Sequence, residues 1–321
     1  MEPTAEPDNE PDNEPDYDSL FRPFITENDT DLYIFSAPID HGNADFFIDL
    51  VRTHPNKRPT CTLILTTLGG SPDDGYRMAR AIQKYYEKFV LLLFGMCKST
   101  GTLIALGADE IAMGDFAELG PLDIQLMEDN SQTSGLSYTQ SLFSLHDILI
   151  QHFYSNFTRL SGAVGTGFPS RVTAEIASTL ALGLLAPISS QLDPVKLGEV
   201  KRAVDIAEEY GRRLCHPRPM PSELIAGYRS HSFVIDLLEA QDIFGEEIVR
   251  PLTDLEHNLE RMLMPDVRHE KKTLVIDLIK KYVPDLMAPR QEQESPEPDV
   301  APEDDIESNP PLNISQDGSS N

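Results

Sequence analysis

The chain has 321 residues, 40% hydrophobic and 25% charged, which suits one large or two modest globular domains and excludes a miniprotein or a fibre. Lys and Arg number 26 against 53 Asp and Glu, and the resulting formal charge of -27 repels nucleic-acid phosphates and anionic lipid, which excludes DNA-binding and membrane-surface roles. Cys61, Cys97 and Cys215 form no CxxC pair and no Cys/His cluster has zinc spacing, so a reducing, cytoplasmic setting and no metal are expected.

Residues 1–19 hold eight acidic groups and no Lys or Arg, and residues 291–321 hold nine more. The remaining residues, 20–290, then carry about -10, an ordinary acidic balance. Both ends lack the apolar residues that would offset ordering entropy, so 1–22 and 289–321 read as disordered acidic tails around a folded domain at 23–288. Such tails solubilise the chain or dock a partner. The N-terminus is acidic where a secretory signal would be basic and then apolar. The longest apolar run, 174–188, is interrupted by Glu175 and Pro187 and falls short of the ~20 residues of a bilayer span, so no membrane span is expected.

In chain order, residues 32–39 read as the first strand from their aromatic and β-branched content. A helix follows, with Asn43 as its candidate cap and Phe46, Phe47, Leu50 and Val51 at helical spacing. Residues 61–68 form the continuous apolar run of a strand covered on both faces, ending at Gly69-Gly70-Ser71-Pro72-Asp73-Asp74-Gly75. A helix is predicted over 76–88, a third buried strand over 89–96, a short helix over 102–107 and a fourth strand over 110–113. Strands alternating with helices indicate βαβ crossovers and a largely parallel sheet. After Gln125 the periodicity turns helical, over 142–160, 173–185 and 197–214. Residues 235–243 read as a further helix, 247–252 as an edge strand, and 271–282 as a last amphipathic helix through Leu274, Val275, Leu278 and Ile279.

Two loops carry chemical content. The Gly69-Gly70 turn and Ser99 both fall at strand carboxyl ends, where open parallel sheets bind ligands. Adjacent glycines let backbone N–H groups face an approaching oxygen, as an oxyanion hole requires. Ser99 stands where a strand turns into a helix N-terminus, with the small residues Thr100 and Gly101 beside it. The same residues would equally serve a glycine turn and a serine N-cap.

The stretches Thr66-Thr-Leu-Gly-Gly-Ser-Pro-Asp-Asp-Gly75, Lys98-Ser-Thr-Gly-Thr-Leu-Ile-Ala-Leu-Gly-Ala-Asp-Glu-Ile111 and Leu119-Gly-Pro-Leu-Asp-Ile-Gln125 resemble the serine dehydrogenase proteinase family. That family belongs to the ClpP/crotonase superfamily, beside signal peptide peptidase A, and the resemblance spans residues 32–252. It implies an α/β fold, a ClpP/crotonase-like spiral of βαβ units with a helical C-terminal half, homo-oligomerisation through that half, and hydrolysis of peptide bonds. Carried over residue by residue, Ser99 matches the nucleophile, and the backbone N–H groups of Gly70 and Thr100 match the oxyanion hole.

The base does not carry over. Clp-type proteases have a His one strand and loop after the nucleophile, where this chain reads Glu118-Leu-Gly-Pro-Leu-Asp123, and no Lys lies between Ser99 and Lys196. A serine without a base is a weak nucleophile. His231 is one candidate, because Ser230-His-Ser-Phe-Val-Ile235 resembles the family's His-Asp-Tyr-Pro-Ile segment, with Ser232 where the family has Asp. Lys196 and Lys201 are dyad candidates or solvated helix faces, and Asp123 would orient a base or cap a turn. His146 and His152 read as surface or packing residues, and Lys98 as pointing away from a site that its neighbour Ser99 faces. The expected function is a serine peptidase acting on peptide or protein substrates. The alternatives are an inactive scaffold of the same fold and a crotonase-like acyl-CoA enzyme. No metal or nucleotide cofactor is expected, since there is no phosphate loop with Lys and Ser/Thr.

Overall fold

A computed structural model describes residues 16–122, 125–128, 131–162, 169–190, 193–228, 230, 232–267 and 273–288. Its elements, in chain order, are α1 (Tyr17–Glu27), β1 (Thr30–Ser36), α2 (His41–Thr53), β2 (Thr60–Thr66), α3 (Pro72–Tyr85), β3 (Lys88–Leu93), β4 (Met96–Cys97), α4 (Thr100–Ala105), β5 (Glu110–Met113) and β6 (Glu118–Leu119). Then follow β7 (Gln125–Glu128), β8 (Ser131–Ser134), α5 (Gly135–Gly162), α6 (Ser170–Ser189), α7 (Pro194–Cys215), α8 (Glu223–Ala226), α9 (Leu237–Phe244), β9 (Val249–Pro251), α10 (Asp254–Val267), β10 (Leu274–Asp277) and α11 (Leu278–Tyr282).

The main sheet has the order β10-β1-β2-β3-β5-β9, parallel throughout except for β10. It is the α/β class expected, a mostly parallel sheet with a helical second half. The continuous apolar strands are buried on both faces. On one face Tyr33, Phe35, Leu63, Leu65 and Leu91 pack with Phe47, Met78 and Ile104. On the other, Leu32, Ile34, Ile64 and Leu92 pack with Phe21, Phe24 and Leu259. Each such aromatic or aliphatic side chain contributes about 1.5–3 kcal/mol when fully buried.

Several expectations need correction. The stretch expected as one helix over 271–282 is divided, because Leu274, Val275 and Ile276 pair antiparallel with Ser36, Phe35 and Ile34 of the β1 edge, and the helix starts only after Asp277. The Asp277 carboxylate accepts the Lys280 N–H at 3.0 Å as N-cap, ending the strand and starting α11. Gln125–Glu128 and Ser131–Ser134 pair antiparallel as β7 and β8, where the sequence after Gln125 reads as helical. α1 crosses the boundary placed at residue 22, held by Phe21, Phe24 and Ile25 in the second core. The cap of α2 is Asp40, whose carboxylate accepts the Asn43 N–H at 2.8 Å. α10 was not anticipated and brings Leu259 and Leu263 to the core.

α6 packs along α5 through Thr173, Ala177, Ala181 and Leu185, spaced four apart. It extends the apolar run of 174–188 to a 20-residue helix whose hydropathy reaches 1.5, long and apolar enough to cross a membrane by length and composition.

Candidate active site

The site forms where two strands exit the sheet. Thr67 and Cys97 bridge in parallel, the Thr67 N–H donating to the Met96 carbonyl at 2.8 Å and the Lys98 N–H to the Thr67 carbonyl at 2.9 Å. On the other flank the Ile39 N–H donates to the Gly69 carbonyl at 2.9 Å and the Ser71 N–H to the Ile39 carbonyl at 2.8 Å. The turn after β2 is therefore threaded between the exits of β1 and β4.

Only glycine passes that gap. Gly69 and Gly70 have φ of 111° and 146°. A Cβ on Gly69 would lie 2.8 Å from Ser99 Cβ, and one on Gly70 would lie 2.1 Å from the Ile39 carbonyl oxygen. Because Ile39 bonds to Gly69 and Ser71, the polar groups of Gly70 face the opposite side, where its carbonyl accepts the Thr100 hydroxyl at 2.8 Å. Gly70 and Thr100, named from the sequence as oxyanion donors, are thus neighbours.

Ser99 is half-buried and adopts φ 51°, ψ -112° at the N-cap position of α4, where its side chain makes no capping bond. The capping reading of Ser99 therefore does not hold. Such a backbone costs of order 1–3 kcal/mol in a non-glycine residue and persists only where neighbours determine it. Here the Gly101 N–H donates to the Lys98 carbonyl at 2.8 Å and the Leu103 N–H to the Ser99 carbonyl at 3.1 Å. Gly101 rests on Cys97, where a Cβ would lie 2.8 Å from Sγ. Burial pushes the Cys97 thiol well above its ordinary pKa, so it stays protonated beneath the turn.

The segment after β6 closes the site from a third side. The Thr102 hydroxyl donates to the Gly120 carbonyl at 2.7 Å, and Leu119 and Ile235 exchange N–H···O bonds of 2.9 and 3.1 Å. The residues just before Ile235 therefore run beside the Ser99 turn. Ser230 and Ser232 pair through their hydroxyls at 2.9 Å. His231 and Asp123 lie outside the described residues. Lys98, as expected, turns away from Ser99, toward Glu118.

α7 meets α3 near its C-terminal end, where Tyr210 stacks on Tyr76 and donates to Asp73 at 2.8 Å. At 1.5 Å per residue, Lys201 lies about 14 Å and Lys196 about 21 Å along the helix axis from Tyr210. Lys201 is exposed and Lys196 half-buried, and His146 and His152 are exposed on α5.

One group at the rim was not read from the sequence. His41 Nδ1 lies 3.2 Å from Asp74 Oδ1 and its Nε2 3.3 Å from Asp45 Oδ2, beside Arg77. Burial opposes the Asp74 charge, but Ser71, His41 and Arg77 together outweigh it and hold the carboxyl below its usual range. The elements bearing His41 and Asp74 follow adjacent strand ends, and that adjacency was the available signal. Among the described residues no group of three or more His, Cys, Asp or Glu side chains is arranged to hold a metal ion.

Comparison with known proteins bears on this geometry. A family model of ClpP-like SDH-type serine proteinases matches residues 33–138, which include Gly70, Ser99 and Thr100 and stop short of Lys196, Lys201 and His231. No curated protein matches the chain. Among solved structures, a mutant of the 1510-N membrane-bound stomatin-specific protease aligns at 17% identity and a TM-score of 0.29, covering 46% of this chain and 68% of that one. Over residues 33–138, about a third of the chain, with the glycine turn and the strained serine, the sequence is similar to the ClpP-like SDH-type serine proteinases.

Proposed function

We propose that the protein is a serine peptidase in which Ser99 Oγ attacks a peptide carbonyl, the N–H groups of Gly70 and Thr100 hold the oxyanion, and water resolves the acyl-enzyme. The observation that carries it is Ser99 in a left-handed backbone conformation, pressed against Gly69 at the carboxyl end of a parallel sheet. His231 is the candidate base. Its segment precedes the Leu119–Ile235 pairing that lies against the start of α4, whereas the lysines sit toward the far end of α7. Asp123, two residues after the Pro121 that follows Gly120, would orient it. The three cysteines are free and buried, which supports a cytoplasmic setting.

A fluorophosphonate probe tests this directly. The wild type is expected to take one adduct per chain, located at Ser99 by mass spectrometry, and Ser99→Ala none, with unchanged circular dichroism. Labelling elsewhere, or equal labelling of the alanine variant, would sink the assignment. One observation favours a second reading, an inactive scaffold. Ser232 stands where the family has Asp, and its hydroxyl engages Ser230. That reading predicts no labelling and no peptide hydrolysis.

We also propose that the chain self-associates through α6. Beside the row that packs on α5 runs a second apolar row at the same spacing, Val172, Ile176, Leu180, Leu184 and Ile188, with Leu180 and Leu184 each 52% exposed. Arg171 and Glu175 are the only charges on this helix, so two copies can meet here without the like-charge repulsion of their acidic bodies. The double variant Leu180→Glu/Leu184→Glu should sediment as a 35.8 kDa species at concentrations where the wild type is larger. A wild type that is already monomeric at micromolar concentration contradicts the proposal.

A further inference from the structure

Lys98 precedes the nucleophile, is 8% exposed, and has no part in the chemistry proposed above. Its ammonium donates to Glu118 Oε2 at 2.8 Å, to the Leu119 carbonyl at 3.0 Å and to the Phe233 carbonyl at 3.1 Å. A lysine ammonium has three N–H donors, and all three are used. A buried cation so satisfied is costly to disturb, because its removal leaves the Glu118 carboxylate and two carbonyls without their partner. The stem is as constrained as the head, since a Cβ on Gly120 would lie 2.7 Å from Lys98 Cδ.

These contacts join three segments far apart in sequence. One is the nucleophile turn, fixed through Lys98's own backbone by the bonds from Lys98 N–H to Thr67 and from Gly101 N–H to the Lys98 carbonyl. The second is β6, and the third is the strap 232–235, which otherwise touches β6 through the Leu119–Ile235 pair. Among the described residues the Leu119–Ile235 bonds are the other backbone tie between the strap and β6, and Phe233, 42% exposed, leans on Tyr228 with ring centroids 4.7 Å apart.

We propose that Lys98 is a positioning residue, a buried clamp that sets the distance between the Ser99 turn and the strap 232–235. The inference builds on the peptidase reading only for its catalytic consequence. It also sets Lys98 apart from the base, because its ammonium is directed at Glu118, Leu119 and Phe233.

Lys98→Met keeps the stem and removes the cation; Gly120→Ala leaves the cation and displaces the stem. In both variants the amides of 233–235 should exchange with deuterium at least ten-fold faster than in the wild type, while those of β2 and β3 keep their protection. Fluorophosphonate labelling of Ser99 should slow at least ten-fold. The rise in labelling between pH 5 and 8 that an imidazole base gives should flatten, with the urea transition still cooperative although its midpoint falls. Unchanged exchange at 233–235 in both variants overturns the clamp, and so does faster exchange spread evenly over the sheet. A wild type that resists every fluorophosphonate overturns the peptidase reading alone, since the exchange comparison still decides the clamp.

Discussion

Gly70→Ala is expected to lower the rate of Ser99 labelling and of peptide hydrolysis by at least about 100-fold, the loss that follows removal of one oxyanion donor. The new Cβ would lie 2.1 Å from the Ile39 carbonyl oxygen, 2.8 Å from its carbon and 3.1 Å from its nitrogen. All three are backbone atoms inside the β1–β2 exit, so no rotamer change relieves the contact. The φ of 146° adds a conformational cost that alanine cannot avoid. The turn must move, and the Gly70 amide moves with it, away from Thr100. The damage should stay local because the strands beneath are bonded along their whole register. The urea midpoint of the variant should show a loss of order 1–3 kcal/mol with a cooperative transition retained. Gly183→Ala, where a Cβ meets nothing within 4 Å, is the matched control and should leave labelling unchanged. If Gly70→Ala labels at the wild-type rate, the Gly70 N–H holds no oxyanion.

The same residues show how far the sequence speaks. The strand over 110–113 and the edge strand near Val249–Pro251 were legible because hydrophobicity and β-branching act locally there. The glycine turn and the Ser99 turn were legible as geometry because adjacent glycines and a small-residue helix start are short local motifs. β10 was not. Leu274, Val275, Leu278 and Ile279 fit a helical period, and only the open edge of β1, some 240 residues earlier, makes Leu274–Asp277 a strand. The orientation of Lys98 followed from its neighbour facing the site, but its third acceptor, Phe233, lies 135 residues away and no local pattern announces it. His41 and Asp74 are 33 residues apart, and the sheet order alone brings them together.

The buried cluster around His54 was equally invisible, and it predicts a large effect on stability. At the edge of the sheet opposite the site, His54 Nδ1 lies 2.6 Å from Asp277 Oδ2, and Nε2 faces Asp31 Oδ1 at 3.3 Å without the alignment of a hydrogen bond. Arg58 donates to Asp31 at 3.0 Å and the Tyr86 hydroxyl does so at 3.0 Å, while Tyr33 and Tyr86 share a 2.7 Å bond. Two carboxylates thus meet one imidazolium and one guanidinium, all buried. Burial works against the charge on His54, but Asp277 and Asp31 more than compensate and raise its pKa to about 9. An unfolded histidine titrates near 6.5, so folding takes up a proton between these values. The stabilisation is therefore complete below about pH 6.5, declines as pH rises, and is gone once pH passes about 9. His54→Gln should remove it at every pH, at a cost of about 3–5 kcal/mol near pH 6, because Asp31 and Asp277 are left buried with one cation between them. Urea unfolding at pH 6 and pH 9.5 reads both effects. The wild type should lose stability over this interval, and the difference between wild type and His54→Gln should shrink with it. A difference that stays constant between the two pH values would mean that His54 is neutral in the folded chain, and that Asp277 holds β10 and α11 against β1 as a hydrogen-bond acceptor rather than as half of an ion pair.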